Sequence, residues 1–455
     1  MKPTTKLSPK EPQKKGGKQI IPAKNPANSL FFKLMWYSVL ALMLFVFLKQ
    51  TNPVDPDIKI EPSEDISFSG FTSGKDQKSF ENQLLNKPFF IELKKTKNEY
   101  EYQLFGKVNL DECYSGKDGY IFGESMTRAS FGDDFIGTAA IKTEVEKAKF
   151  VQNKLNELGI PMLILFAPGK STIYPEYLPD MVTKTKMKTK NSTTYIDECK
   201  ALGVNHIDFI QYFLALRNIT QLPLFSQYGS HWSYFGECIA VDTTITRLER
   251  LMNVNLPSFR FGDIQLMDTA LVRDADIFRK IPMHKIPKGK ALAYPQSMTY
   301  EQGNGVTPQK ITAIGDSYLR GFFYLGAMDN AFAGSKQWYY YNSIIPEDPS
   351  NPEVWQLDLK AEILKTKAVL VLCNEMNLKN LGNGFIDDAY LMFSDEAKFN
   401  AYRRNKFEIN TLKKEIRNDK ELIDKLTIES HSRSITLDSV ITETAKKRQI
   451  QMHNR

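Results

Sequence analysis

The chain has 455 residues and a formal net charge of +7, so it can bury one large core or two modest ones. Eight lysines and a single acid, Glu11, occupy residues 1–33, which leaves the remainder close to neutral and argues against nucleic-acid binding. The four cysteines include no Cys-x-x-Cys pair, which excludes the usual signature of a zinc or thioredoxin-like site.

The first predicted element is a membrane-spanning helix over residues 30–48. Lys33 is its only charged residue, and the segment has about the length that a helix needs to cross a bilayer. Because the basic tail, residues 1–29, precedes it, the positive-inside rule predicts a cytoplasmic N-terminus and a periplasmic or extracellular domain after Lys49. A cleaved signal peptide is the alternative, but no small-x-small cleavage site follows the segment. We therefore predict an uncleaved signal anchor in the cytoplasmic (inner) membrane.

Residues 49–103 are polar and interrupted by prolines, and we interpret them as a linker. Residues 104–400 then alternate between helical and extended patterns. Apolar residues at three- and four-residue spacing predict a helix over 140–158, and the unbroken apolar run 162–166 predicts a buried parallel strand. Further helices are predicted over 194–202 and after Trp232, and further strands over 204–207, 310–314 and 369–372. This alternation predicts a three-layer α/β domain with a parallel sheet, whose sites lie where strands end.

Residues 401–455 are charged and helical, and we interpret them as a C-terminal extension. Apolar residues form one stripe, but Asp419 interrupts it. Either a short coiled-coil seam or a terminal helix packed on the domain would fit, and we favour the packed helix.

The sharpest local pattern is the segment 311–321, ITAIGDSYLRG, in which an apolar strand is followed by a glycine turn and by Asp-Ser at the start of a helix. A serine there has its hydroxyl exposed at the carboxyl end of the strand, and backbone N–H groups around it can stabilise an oxyanion. Ser317 is therefore a candidate nucleophile. The alternative is that Asp316 and Ser317 only cap a helix.

A serine nucleophile needs a base at neutral pH, and five histidines are available. His231 is the best candidate, because it lies in a loop rich in glycine and aromatic residues that precedes a predicted helix. His206 falls inside a predicted strand, where a buried structural histidine is expected. His284, His431 and His453 are in polar or terminal segments and fit solvated surface positions.

Several motifs together resemble the alginate O-acetyltransferase family of SGNH-hydrolase-like proteins, over about residues 113–380. They are GKDGYIFG at 116–123, APGKSTIYPEYLP at 167–179, His231-Trp232 and Gly315-Asp316-Ser317, in the order seen in that family. The resemblance implies a rearranged SGNH-hydrolase fold and transfer of acetyl groups to sugar hydroxyls of an exported polysaccharide. It also implies that Ser317 carries the acyl group and that His231 relays protons.

The resemblance further suggests an oxyanion-binding asparagine at Asn374, which ends the last predicted strand. Gly315 and Asp316, beside the serine, are additional candidates for oxyanion or substrate contacts. The chain departs from the family at Gly229, where the family has an aspartate two residues before the histidine. Three explanations remain open: a backbone carbonyl holds His231, another carboxylate such as Asp208 has taken over, or the domain binds without catalysing.

No metal-binding motif, Walker loop or dinucleotide fingerprint occurs, so no bound cofactor is predicted. Lys170 and Tyr174 could contact a phosphate or a glycan, although a lysine that supports the loop after the strand fits better. Acetyl-coenzyme A is cytoplasmic, so the resemblance implies a membrane-bound O-acyltransferase partner that supplies the acyl group. A carbohydrate esterase of the same fold and a non-catalytic glycan-binding or assembly protein are the alternatives.

Overall fold

The computed structural model describes residues 33–38, 40–41, 66–72, 74, 76–433 and 435–453. The predicted basic tail, residues 1–29, and most of the predicted membrane segment, residues 30–48, lie outside this range. Among the described residues, no helix combines the length and apolar character needed to span a membrane.

The chain divides into two units, of which the first comprises residues 1–56 and 60–93. Its described part contains the helices α1 (Phe68–Thr72) and α2 (Gln77–Leu85) and the beginning of α3 (Pro88–Phe105). These helices occupy part of residues 49–103, the range predicted as a linker, and α3 continues two residues beyond it.

The second unit comprises residues 57–59 and 94–455. Its strands are β1 (Cys113–Ser115), β2 (Ile121–Gly123), β3 (Met162–Ala167), β4 (His206–Asp208), β5 (Ser258–Met267), β6 (Leu292–Glu301), β7 (Ile311–Gly315), β8 (Gln337–Tyr339), β9 (Ser343–Ile345) and β10 (Ala368–Asn374). Its α-helices after α3 are α4 (Glu124–Phe131), α5 (Thr138–Glu157), α6 (Lys170–Ile173), α7 (Asp180–Thr183), α8 (Asn191–Leu202), α9 (Phe209–Leu216), α10 (Tyr234–Met252), α11 (Gly321–Tyr324), α12 (Ala327–Asn330), α13 (Leu359–Leu364), α14 (Phe385–Ser394), α15 (Glu396–Asn418), α16 (Lys420–Ser432) and α17 (Leu437–His453).

The central sheet has six strands in the order β4-β3-β10-β7-β8-β9. The first five are parallel, as predicted, but β9 runs antiparallel to β8. The predicted parallel sheet is therefore confirmed for five strands, and β9 makes the sheet mixed. The reason is the tight turn between β8 and β9, in which Tyr340 and Tyr341 have φ values of 49° and 53°. Such a turn reverses the chain and can join only antiparallel neighbours.

Both faces of the sheet are covered, which explains why its central strands are apolar without alternation. In β3, Ile164 and Phe166 pack into one core cluster, whereas Leu163 and Leu165 pack into the other. Helices α5, α8 and α14 contribute to the first cluster and α10 to the second. The predicted three-layer α/β arrangement is confirmed, and it directs the carboxyl ends of β3, β10 and β7 to the same edge of the sheet.

A long antiparallel hairpin, formed by β5 and β6, is inserted between α10 and β7. The connection between its strands, residues 268–291, is apolar at several positions. Ala275, Ile277 and Phe278 are buried there in a separate cluster with Ile121 and Tyr228. We call residues 258–301 the hairpin arm; the packing of its connection fixes the position of the residues between the two strands.

The C-terminal extension consists of α15, α16 and α17. Leu412, Ile416 and Leu426 form a small core of their own with Val440 and Ile441. Asp419, which interrupts the predicted apolar stripe, marks the break between α15 and α16, where its side chain accepts a hydrogen bond from the Leu422 N–H. The predicted helical extension is confirmed, and its apolar stripe packs against the last helix of the chain.

Candidate active site

Ser317 lies two residues after the end of β7, at the start of a short 3₁₀ turn, Ser317–Arg320. The preceding Asp316 is completely buried, and its carboxylate accepts hydrogen bonds from Tyr318 N (3.0 Å), Asn374 N (2.7 Å) and Asn377 Nδ2 (2.8 Å). These contacts tie the turn to the end of the neighbouring strand β10. The serine is therefore presented by a turn that is fixed on both sides.

His231 is held by a loop whose neighbours are anchored in the core. Trp232 is 2% exposed and donates from Nε1 to Glu237 Oε1 at 3.1 Å. Ser233 caps α10 by accepting from Gly236 N at 3.1 Å. On the other side of the histidine, the Ser230 carbonyl accepts a hydrogen bond from the Tyr318 hydroxyl at 2.8 Å. The loop thus fixes the backbone immediately before and after the imidazole.

The structure brings the two predicted residues together: Ser317 Oγ lies 2.8 Å from His231 Nε2. The other ring nitrogen, Nδ1, lies 2.9 Å from Asp276 Oδ2. Asp276 also accepts hydrogen bonds from Ser230 N at 2.7 Å and from Ser230 Oγ at 2.6 Å. Serine, imidazole and carboxylate form one continuous row, which is the arrangement of a catalytic triad.

The charge of Asp276 decides which ring nitrogen carries the proton. Burial raises the pKa of Asp276. The hydrogen bond and electrostatic attraction to His231 lower it, as do two hydrogen bonds from Ser230. Together they outweigh burial and hold the pKa of Asp276 well below its usual range. An ionised carboxylate only accepts hydrogen bonds, so Nδ1 of His231 carries the proton and donates it to Asp276. In the neutral imidazole Nε2 is then an acceptor, and it receives the hydroxyl hydrogen of Ser317.

Asp208, the orienting acid suggested from the sequence, does not contact His231. Its carboxylate caps α9 by accepting from Gln211 N at 3.0 Å, and it lies 4.0 Å from Lys200 Nζ. The residue that sequence reasoning missed is Asp276, which comes from the hairpin arm. No local pattern marks Asp276, because its contact with the histidine depends on how the arm packs.

Asn374 does not have a free side-chain amide for an oxyanion. Its Nδ2 donates to the carbonyls of Ala167 (3.2 Å) and Pro168 (2.9 Å), and its Oδ1 accepts from Met376 N (3.2 Å). The residue is completely buried and holds two strand ends together, because β3 and β10 both finish there. Its assignment as an oxyanion donor is corrected to a structural role.

Gly315 and Asp316 are likewise occupied within the protein. The Gly315 carbonyl accepts hydrogen bonds from Gln337 Nε2 at 3.0 Å and from Tyr340 N at 2.9 Å. The Asp316 carboxylate has the three partners given above, so both of these groups are occupied within the protein. Through them the two residues position Ser317.

Tyr340 is a polar neighbour of Ser317 that the sequence did not indicate. Burial raises the pKa of the Tyr340 phenol to about 12, while hydrogen bonds with the side chains of Asn377 and Ser317 act in the opposite direction. The residue has a left-handed backbone, with φ of 49°, which is unfavourable for a bulky side chain. Strain of this kind is tolerated where the surrounding structure enforces it, and here it places a phenol hydroxyl beside the serine.

Residues 114–259 match the family described as "SGNH hydrolase-like domain, acetyltransferase AlgX". The predicted resemblance is confirmed. The AlgX-like segment includes Gly229 and His231, whereas Asp276 and Ser317 lie beyond its end. With its mixed sheet and C-terminal helices, the domain is an SGNH-hydrolase-like α/β domain.

Solved structures give distant matches. The O-acetyltransferase domain of Pseudomonas putida AlgJ is 16% identical with a TM-score of 0.40, covering 61% of this chain and 98% of that one. Pseudomonas aeruginosa AlgX is 12% identical with a TM-score of 0.40, covering 62% of this chain and 66% of that one. Bacillus cereus PatB1 with a sulfonyl adduct is 10% identical with a TM-score of 0.36, covering 53% and 91%. A search of the curated proteins gives no match.

Gly229, the departure from the family pattern in the AlgX-like segment, is explained by the position of Asp276. A Cβ atom on residue 229 would lie 2.9 Å from Asp276 Oδ1 and 2.9 Å from the Asp274 carbonyl oxygen. The space beside residue 229 is therefore filled by the carboxylate that contacts His231. Glycine leaves room for an acid delivered from elsewhere in the chain.

The triad opens into a cavity of about 450 Å³. Besides the three triad residues, the cavity is lined by Val272, Arg273, Arg279, Lys280, Arg320, Tyr324 and Tyr339. Two of the guanidinium groups are held against aromatic rings: Arg273 lies 4.1 Å from the Tyr324 ring centre and Arg320 lies 4.8 Å from that of Tyr339. Four basic side chains thus border the cavity beside the nucleophile, and we call them the basic rim.

Carboxylates behind the basic rim hold its arginines in place. Arg273 makes a two-pronged ion pair with the buried Glu237, and Arg320 Nη2 lies 2.6 Å from Glu347 Oε1. These acids neutralise part of the positive charge, but neither of them lines the cavity. The side of the cavity that a ligand meets therefore carries an excess of positive charge.

Proposed function

We propose that this protein is a serine O-acyltransferase that acetylates a polysaccharide through an acyl-enzyme on Ser317. The observation that carries the proposal is the hydrogen-bonded row of Ser317, His231 and Asp276 at the floor of an open cavity. The match of residues 114–259 to an acetyltransferase family supports the same chemistry.

The first half-reaction transfers the acyl group to the protein. Ser317 Oγ attacks the carbonyl carbon of the acyl donor while His231 Nε2 takes the hydroxyl proton. Asp276 stabilises the imidazolium that forms. When the tetrahedral intermediate collapses, the bond to the leaving oxygen breaks and the imidazolium returns the proton to that oxygen. The product is an ester on Ser317 and a released alcohol.

In the second half-reaction a sugar hydroxyl attacks this ester. His231 Nε2 removes the proton from the sugar hydroxyl, and it later gives this proton to Ser317 Oγ as the acyl bond to the serine breaks. The acetylated sugar leaves with the enzyme in its starting state. Water in place of the sugar would give hydrolysis, so exclusion of water from the cavity decides between transfer and esterase activity.

A developing oxyanion needs hydrogen-bond donors, and in this proposal the Ser317 N–H and the Tyr340 hydroxyl supply them. The Tyr318 N–H is already donated to Asp316 and does not contribute. The raised pKa of the Tyr340 phenol keeps its proton in place at neutral pH, so it can donate throughout the reaction. In a well-studied protease one such donor contributes about 3 to 4 kcal/mol.

The basic rim favours an acidic acceptor, such as a glycan with carboxylate or phosphate groups. Arg273, Arg279, Lys280 and Arg320 come from two different segments that meet at the same opening. In this proposal they attract the negative charges of the polymer and place a neighbouring hydroxyl near Ser317.

The polysaccharide is an exported one in this proposal, and the protein works outside the cytoplasm. In this proposal the apolar segment 30–48 anchors the protein to the cytoplasmic membrane with the basic tail inside, as the sequence predicts. A membrane-bound O-acyltransferase delivers the acyl group, because the acyl donor of the cytoplasm is on the other side of that membrane.

The test uses the full chain purified in detergent, with Ser317→Ala, His231→Ala and the control Ser350→Ala, which changes an exposed serine away from the cavity. We expect a fluorophosphonate to label Ser317, and 4-nitrophenyl acetate to release its chromophore, in the wild type and the control only. Mass spectrometry of an added acidic oligosaccharide then separates transfer from hydrolysis. Absence of labelling in the folded wild type would contradict the proposal and favour a protein that only binds glycans.

A further inference from the structure

Lys170 is a completely enclosed cation that the reaction described above does not use. It begins α6, directly after β3, and its side chain is 1% exposed. The ammonium group donates to the carbonyls of Ser226 and Gln227, each at 3.1 Å, and to that of Gly229. These three carbonyls belong to the loop that leads into His231.

Enclosing an ammonium group without a paired acid in contact is costly, since charged groups lose their hydration on burial. Burial lowers the pKa of Lys170 to about 7, against the opposing effect of Asp276 and other anionic groups nearby. An apolar side chain would fill the space beside the Phe122 ring, which lies 5.3 Å from Nζ, without this penalty. The geometry accounts for the lysine in another way, because its amino group faces three carbonyls of one loop and donates to them with three N–H groups when protonated and two when neutral.

The other end of Lys170 is equally well fixed. Gly169 N donates to the buried Glu375 Oε2 at 2.7 Å, and the Pro168 carbonyl accepts from Asn374 Nδ2 at 2.9 Å. Asn374 also donates its backbone N–H to Asp316, beside Ser317. The carboxyl end of β10 thus holds the serine turn directly and the histidine loop through Lys170.

We propose that Lys170 is a positioning residue of the active site, whose side-chain amino group holds the carbonyls of Ser226, Gln227 and Gly229 so that His231 stays aligned between Asp276 and Ser317. This inference rests on the proposed function. Direct contact with the substrate is ruled out by the enclosure of the side chain, so the lysine acts on the imidazole through the backbone.

The test compares Lys170→Met, which removes the charge and keeps the volume, with the matched control Lys290→Met. Lys290 Nζ lies 5.1 Å from the Tyr120 ring, and Lys170 Nζ lies 5.9 Å from the same ring. The Lys290 amino group bonds to Tyr177 and Asp118, and only its backbone N–H, which methionine keeps, donates to the Gln227 side chain of the histidine loop. Lys170→Gln is the second variant, because it is neutral and keeps two N–H donors. The full chain is used in detergent, and each variant is first checked for cooperative thermal unfolding.

Three measurements report the alignment of His231 with Asp276 and Ser317, and not only whether the protein is folded. They are the rate of Ser317 labelling by a fluorophosphonate, kcat and KM for 4-nitrophenyl acetate, and the low-field proton resonance of the His231 Nδ1–H bond to Asp276. We expect labelling and kcat of Lys170→Met to fall about 100-fold, as for a displacement of about 1 Å, with KM unchanged and the resonance shifted or lost. Lys170→Gln should be intermediate, and Lys290→Met should equal the wild type.

The inference would be overturned if Lys170→Met folds and has the same Ser317 labelling rate and the same low-field resonance as the wild type. If Lys170→Met does not fold, Lys170→Gln decides by the same criteria. Failure of the proposed function has a different signature, because then neither the wild type nor Lys290→Met is labelled on Ser317. If the wild type and Lys170→Met are labelled on Ser317 at the same rate, only the role of Lys170 is refuted.

Discussion

Asp276 Oδ2 lies 2.9 Å from His231 Nδ1, although the two residues are 45 positions apart in the chain. The acid belongs to the connection of the hairpin arm, and the histidine belongs to the loop before α10. Their contact depends on the burial of Ala275 and Ile277 around Asp276, which fixes the connection against the rest of the domain. The orientation of the imidazole is therefore set by an inserted segment.

Replacing Asp276 with asparagine should lower kcat for 4-nitrophenyl acetate by about 10⁴-fold, because an amide can hold the imidazole in the wrong tautomer, as in a serine protease. KM should change little. Asp208→Asn is the control, since Asp208 only caps α9, and it should leave kcat unchanged while lowering the free energy of unfolding by about 1 kcal/mol or less. Equal activity of Asp276→Asn and the wild type would show that the imidazole needs no carboxylate.

Moving the acid back to residue 229 tests whether the space beside it can hold a carboxylate for His231. Gly229→Asp alone should lose activity, because its Cβ would lie 2.9 Å from Asp276 Oδ1. In combination with Asp276→Gly, which removes the clashing carboxylate and lets the backbone around the Asp274 carbonyl shift, the new carboxylate can approach the imidazole. We expect the double variant to exceed Asp276→Gly by about tenfold in kcat. A double variant no better than Asp276→Gly would contradict this view of residue 229.

Lys170 should give the stability of the protein a distinctive dependence on pH. Its pKa is about 7 in the folded protein and 10.5 in its ordinary environment. Between these values the unfolded chain binds a proton that the folded protein lacks, so stability rises with pH. Relative to Lys170→Met, the wild type should gain up to about 1.4 kcal/mol in the free energy of unfolding per pH unit from pH 7 to 10.

Urea unfolding of the full chain at pH 7, 8 and 9 measures this difference. Asp274, whose pKa burial raises to about 7, interacts electrostatically with Lys170, so the slopes are compared between pH 8 and 9, where this carboxyl is largely ionised in both proteins. Lys290→Met should keep the slope of the wild type. Parallel slopes for the wild type and Lys170→Met would mean that Lys170 keeps its ordinary pKa.

The basic rim should discriminate between acceptors by their charge. Lys280→Ala removes an exposed cation of the rim, and we expect KM for an acidic oligosaccharide to rise up to about fivefold, since surface charges contribute about 1 kcal/mol or less each. Added salt should raise KM for the acidic oligosaccharide more in the wild type than in the variant, because salt screens the charge of Lys280. Hydrolysis of the neutral 4-nitrophenyl acetate should stay the same in both.

Lys288→Ala is the matched control for the rim, because Lys288 lies on the same arm connection but pairs with Asp268 and does not line the cavity. It should leave KM for the acidic oligosaccharide unchanged. An equal preference of the wild type for acidic and neutral oligosaccharides would count against an acidic acceptor.

The parts of the site that the sequence predicted are those with a local signature. Ser317 follows an apolar strand and a glycine turn, and His231 lies in an aromatic loop before a helix; both patterns are complete within about ten residues. Their approach to 2.8 Å then follows from the α/β alternation, which brings loops at the carboxyl ends of strands to one edge.

The parts that the sequence could not predict depend on contacts between distant segments. Asp276 looks like any acid in a charged loop, and only the packing of the hairpin arm shows that it reaches the imidazole. Asn374 looked like an oxyanion donor, but its amide is used by the carbonyls of Ala167 and Pro168, which approach only when β3 and β10 pair. The turn at Tyr340 was missed because tyrosines rarely form turns with positive φ.

The hairpin arm carries Asp276 together with three of the four rim cations, Arg273, Arg279 and Lys280. In the proposed reaction, choice of acceptor and activation of Ser317 therefore both depend on this one stretch of chain. A chimera that received this stretch from a homologue with a different glycan preference would inherit a new recognition surface and a new partner for the imidazole in one step. Conversely, a homologue that lost the insertion would keep serine and histidine yet need an aspartate of its own at residue 229.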